Sequence, residues 1–148
     1  MRFWDTSCVV PLLLVERSTR ALTSVLMGSA GMCVWWGTRV EAVSALSRRA
    51  REGALSETQL NGCIDRLDRL SERWIEVEPG ERVRDLAVSA VGRHDLRAAD
   101  AFQLAAALVA ADGEAATIEF VCLDRRLRQA AAREGLRLLP ETIEEPRP

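Results

Sequence analysis

The chain has 148 residues, of which 48% are apolar and 28% charged, with 20 basic against 22 acidic side chains and a net charge of −2. A single domain of this length buries ~70% of the surface its unfolded chain exposes, so a core can form without disulfides or metals, and intrinsic disorder is excluded. Near-balanced charge also excludes a protein that coats nucleic acid through bulk electrostatics, so any such contact has to be local. All the basic residues are Arg, and the sequence contains neither Lys nor Tyr.

The elements alternate along the chain. Arg2-Phe3-Trp4 reads as a short strand, and 6–15 and 19–27 as helices, with a break at 28–31. Met32 to Trp36 is an apolar run between Gly31 and Gly37, the pattern of a strand covered on both faces. Thr38 followed three residues later by Glu41 has the spacing of a capping box and starts a helix to about Arg51. Ser56-Glu57-Thr58-Gln59 repeats the signal, and Leu60, Ile64, Leu67 and Leu70 keep helical spacing to about Arg73. A strand at 74–77 follows, then helices at 81–92 and 96–111, a strand at 118–123, a helix at 124–133 stopped by Gly135, and a last strand at 136–139. Strands separated by helices need crossover connections, which predicts an α/β fold with a mostly parallel sheet and helices on both faces. Residues 1–139 form one expected domain. The tail 140–148, with three Pro and three Glu, is expected to be loosely ordered.

No apolar stretch reaches the ~18 residues that span a bilayer. The run from Cys8 to Val15 is preceded by Asp5 and followed by Glu16-Arg17, not by a small-residue cleavage site, so it is not read as a signal peptide. Cys8, Cys33, Cys63 and Cys122 are widely spaced and form no metal-type pair. The expectation is a reduced, cytoplasmic protein with no membrane contact. Trp4 and the pair Trp35-Trp36 are expected in the core.

In parallel α/β sheets, ligands bind beyond the carboxyl ends of the strands. Asp5 ends the first strand, Glu41 lies in the first turn after the second, and Asp124 directly follows the strand at 118–123; Asp100 lies in the first turns of the Ala-rich helix. Each acid has an ordinary reading. Asp5 and Asp124 suit helix N-caps, the Thr38–Glu41 spacing accounts for Glu41, and a helix dipole favours Asp100. Together, four acids at one sheet edge repel, and a hard divalent cation such as Mg²⁺ or Mn²⁺ offsets that repulsion best. Arg39, Arg93 and Arg97 lie close in sequence to these acids and are candidates for gripping phosphate. His94 has no paired nucleophile in the sequence; it is read as a loop residue close to phosphate.

Four blocks in order resemble the PIN-domain ribonucleases, and among them the VapC toxins of bacterial toxin–antitoxin pairs. They are Asp5-Thr6-Ser7 with Val9 to Leu13; Thr38 to Leu46; Leu96-Arg97-Ala98-Ala99-Asp100-Ala101-Phe102-Gln103 with Leu104 to Ala107; and Phe120 to Leu127 with Ala130-Ala131 and Gly135-Leu136. The chain departs from the family pattern at Cys122, where Ser or Thr is frequent, and at the bulky pair Trp35-Trp36. The resemblance implies a PIN-like three-layer α/β/α fold with about five strands. It implies that Asp5, Glu41, Asp100 and Asp124 are catalytic and bind Mg²⁺ or Mn²⁺, with Thr6 and Ser7 as secondary residues. It further implies an endoribonuclease that leaves 5′-phosphate and 3′-hydroxyl ends, a homodimer, and neutralisation by a VapB-type antitoxin in the acidic groove. The other reading is a non-catalytic PIN-like domain that binds RNA or protein.

Overall fold

A computed structural model describes residues 1–29 and 31–143. Five short strands, β1 (Arg2–Trp4), β2 (Met32–Trp35), β3 (Ile75–Val77), β4 (Glu119–Val121) and β5 (Arg137–Leu139), form one sheet in the order β3-β2-β1-β4-β5. Every neighbouring pair is parallel. The helices are α1 (Thr6–Leu13), α2 (Thr19–Met27), α3 (Thr38–Arg51), α4 (Glu57–Ser71), α5 (Glu81–Arg93), α6 (Ala98–Ala110) and α7 (Arg125–Arg133). The alternation expected from the sequence is present, with β1, α2 and α3 at their expected bounds and several other ends trimmed by one or two residues.

Side chains alternate across a strand, so each strand supplies two cores. Phe3, Cys33, Trp35 and Phe120 face α5, α6 and α7, while Trp4, Met32, Val34 and Val121 face α1, α2, α3 and α4. The result is three layers, and their apolar faces explain why strands of three or four residues suffice. Phe3 and Phe120 stack across β1 and β4 with centroids 5.7 Å apart, and Trp35 lies parallel to Phe102 of α6 at 5.5 Å. Gly37 makes room for this arrangement, because a Cβ there would stand 2.5 Å from the Trp35 indole nitrogen.

Two expectations are corrected. Trp36 lies past the end of β2, 51% exposed, and is not a core residue. Thr38 is not the N-cap of α3. Gly37 holds that position, and Thr38 is the first helical residue with no side-chain cap bond. At α4 the capping box is real: the Ser56 hydroxyl accepts from the Gln59 N–H, and the Gln59 side chain accepts from the Ser56 N–H. The leucine stripe of α4 places Leu67 in the core, with Leu60 and Leu70 packed against it. Of the expected tail, 140–143 carry no helix or strand, and 144–148 lie outside the described residues. All four cysteines are free and buried. Among the described residues, no helix is long and apolar enough to cross a membrane.

Candidate active site

The sheet order puts β1 between β2 and β4, so the residues following these three strands share one edge. Asp5 leaves β1 with its N–H still in the ladder, donating to the Val121 carbonyl at 2.9 Å. Its side chain, 4% exposed, caps α1 by accepting from the Ser7 N–H at 3.0 Å. The Ser7 hydroxyl also donates to the same Oδ2, and accepts from the Leu123 N–H at 3.0 Å. Ser7 therefore fixes Asp5 against the segment that follows β4. The Cys122 thiol, 3.6 Å from Oδ2, completes this cradle. Where Ser or Thr is frequent in the resembling family, this chain uses a weaker donor that burial and the Asp5 charge keep protonated, well above its ordinary pKa.

Glu41 is positioned from three elements. Its Oε2 accepts from the Thr6 hydroxyl of α1 at 2.9 Å and from Gln103 Nε2 of α6 at 3.2 Å, while its backbone belongs to the first turn of α3. The capping reading of Glu41 is thus overturned: its carboxylate turns toward α1 and α6, not back onto its own helix. Asp100 stands in the first turn of α6 and accepts from the backbone N–H of Arg97, the N-cap residue. Asp124 is exposed and caps α7, accepting from the Leu127 N–H at 2.8 Å. Its ordinary reading as a cap is therefore correct.

The electrostatics join these four acids. Burial pushes the Asp5 carboxyl up, the Ser7 bonds oppose this, and the Asp100 charge adds to it. Burial likewise raises Glu41 against the opposing bonds from Thr6 and Gln103, with the charges of Asp5 and Asp100 adding. Asp100 is raised by burial and by Asp124, and is partly relieved by Arg97 and Arg126. Among the described residues, the largest influences on Asp5 and Glu41 include no cation.

The hydrogen bonds accepted by Asp5 fall on Oδ2, those accepted by Glu41 on Oε2, and the cap bond of Asp124 on Oδ1. Each carboxylate is anchored through one oxygen, which leaves the other for a ligand. Among the described residues, no three Asp, Glu, His or Cys side chains are set closely enough to enclose a metal ion directly. Hard carboxylates that do not close a shell suit Mg²⁺, which binds through one or two carboxylates and keeps several waters.

The structure sorts the remaining candidates. Thr6 and Ser7 orient Glu41 and Asp5. Arg97 acts on Asp100, whereas Arg39 is engaged by Asp68 at 2.6 Å and Arg93 by Glu134 at 2.7 Å. His94 Nε2 also meets Glu134, at 2.7 Å, which places it at the end of α7 and not beside the acids. Gln103 and Arg126 are not singled out from sequence, while Thr38 reads there only as a helix cap and Cys122 only as a departure from the family pattern. Gln103 and Thr38 are 1% and 0% exposed, and only the fold brings Gln103 to Thr38 and Glu41.

No family model matches the chain and no curated protein matches it. Among solved structures, FitAcB from Neisseria gonorrhoeae superposes with a TM-score of 0.65 at 15% identity, over 95% of this chain and 98% of the other. FitAB bound to an IR36 DNA fragment gives 0.66 at 14% identity, over 98% and 99%. The fold is PIN-like. The likeness spans the whole domain and is one of architecture, so the chemistry has to be argued from the side chains.

Proposed function

We propose that the chain is a metal-dependent endoribonuclease, the toxin of a VapBC-type toxin–antitoxin module. The observation that carries this reading is the set of four acids at one sheet edge, Asp5, Glu41 and Asp124 after β1, β2 and β4 and Asp100 in the first turn of α6, with Asp5, Glu41 and Asp100 held above their ordinary pKa. Asp5, Glu41, Asp100 and Asp124 would hold the ion, one or two of them directly and the others through its waters. Bound Mg²⁺ or Mn²⁺ supplies a nucleophilic water and charge neutralisation at phosphate. The chain's own residues orient and balance the site. Ser7 and Cys122 fix Asp5, Thr6 and Gln103 fix Glu41, and the guanidiniums of Arg97 and Arg126, close enough to act on Asp100, are suited to hold a phosphate against the acids.

The motif blocks and the fold shared with FitAcB and FitAB support the toxin reading. They also support an antitoxin partner, a homodimer and a cytoplasmic setting as parts of the same proposal. The test is cleavage of single-stranded RNA, DNA and small phosphate esters by the purified protein in Mn²⁺, with EDTA as control. RNA cleavage abolished by EDTA is the expected result. Turnover of DNA or esters alone reassigns the substrate, and binding of RNA without cleavage favours the non-catalytic domain.

A further inference from the structure

Gln103 is a polar side chain in the most buried part of α6, between Phe102 and Leu104. Its amide nitrogen lies 2.9 Å from Thr6 Oγ1, 3.1 Å from Thr38 Oγ1 and 3.2 Å from Glu41 Oε2. Its amide oxygen is buried and has no hydrogen-bond partner among the described residues. A buried carbonyl without a partner is destabilising. The amide does not turn over to relieve this, because the opposite orientation would set its oxygen against a carboxylate that only accepts. The fold therefore tolerates an unsatisfied oxygen in order to keep a donor on Glu41.

Each bond in the cluster has a direction. The amide donates to Thr6 Oγ1, and the Thr6 hydroxyl in turn donates to the same Glu41 Oε2. Two donors from two helices thus converge on one oxygen. Asp100 and Gln103 are three residues apart on α6, the spacing at which helical side chains are neighbours, so one turn carries both an acid and the donor that fixes a second acid.

We propose that Gln103 is a positioning residue of the metal site: it holds Glu41 by one carboxylate oxygen, directly and through Thr6, and so presents the other oxygen to a divalent cation. This rests on the metal-dependent reading above. Partners that orient ligating carboxylates contribute about 10–100-fold to metal affinity or activity.

The test is titration with Mn²⁺ alone, followed by calorimetry, of the wild type, Gln103→Met, Glu41→Gln and the double variant, with melting temperatures taken without metal. Methionine nearly conserves volume and removes the unsatisfied oxygen but also the amide donor to Thr6, Thr38 and Glu41, so the melting temperature falls at most modestly. Mn²⁺ affinity of Gln103→Met falls about 10–100-fold, and the same substitution in the Glu41→Gln background produces no further loss. Thr6→Val weakens binding in the same way, and Thr6→Ser restores it. Unchanged affinity in Gln103→Met, or an equal loss in both backgrounds, overturns the inference alone. A large fall in melting temperature assigns Gln103 to packing and also overturns it. A wild type without Mn²⁺ affinity overturns the metal reading and the inference together.

Discussion

Asp100 sits where opposing influences meet. Burial and Asp124 raise its carboxyl, while Arg97 and Arg126 hold it down. A carboxyl raised in the folded state binds its proton more tightly there than in the unfolded chain, so stability falls as pH rises from the ordinary carboxylate range through the raised value. The cost of ionising Asp5, Glu41 and Asp100 in the folded state grows as pH rises, and acidification releases it. Metal-free Asp100→Asn is therefore expected to melt at or above the wild type at pH 7, with the gap closing as the pH is lowered. Thermal melts at neutral and mildly acidic pH check this, and a variant that melts lower at neutral pH contradicts it. The acids themselves were legible because strand ends can be read from apolar runs and glycines. Gln103 was not, because in an Ala-rich helix it looks like one more polar position. Its partners Thr6 and Thr38 are 97 and 65 residues away in sequence. Glu41 was legible as an acid but not as an oriented one, since Thr-x-x-Glu spacing is the same whether or not Gly37 takes the cap.

Among the elements, the segment after β4 is held by a buried cation. Arg128 of α7, 8% exposed, donates to the carbonyls of Cys122, Leu139, Pro140 and Glu141 at 2.8 to 3.3 Å. It ties the residue that touches Asp5 to the chain leaving β5. Arg128→Met leaves these carbonyls without their donor and is expected to cost about 3 kcal/mol in urea unfolding. A change within 0.5 kcal/mol, the usual range for surface substitutions, would contradict this role. The entry to α3 is held differently. Gly37→Ala forces the Trp35 ring off its stack with Phe102, at a cost of about 1–3 kcal/mol by the same measurement. Helix and strand order were legible from periodicity. The outward turn of Trp36 was not, because the apolar run does not show that the strand stops at Trp35. A buried arginine was also illegible among 20, since its burial depends on carbonyls supplied by β5 and the turn beyond it.

At the scale of the molecule, the net charge of −2 conceals a separation. Acids gather at one sheet edge, where Arg97 and Arg126 act on Asp100, while Arg2, Arg39, Arg49 and Arg93 pair with acids elsewhere. Two apolar cores on either side of a five-stranded sheet supply the stability that this acidic edge subtracts from. A divalent cation bound only by the folded chain adds about 2.7 kcal/mol at a hundred times its dissociation constant. Mn²⁺ is therefore expected to raise the melting temperature and EDTA to reverse the rise, whereas Asp5→Asn should abolish most of the shift. The proposal that these acids hold a metal used to cleave RNA is tested most directly by the RNA cleavage rate of the wild type against Asp100→Asn at one Mn²⁺ concentration. The expected result is a fall of about two orders of magnitude or more with the melting temperature held or raised. Undiminished cleavage by the variant would contradict it.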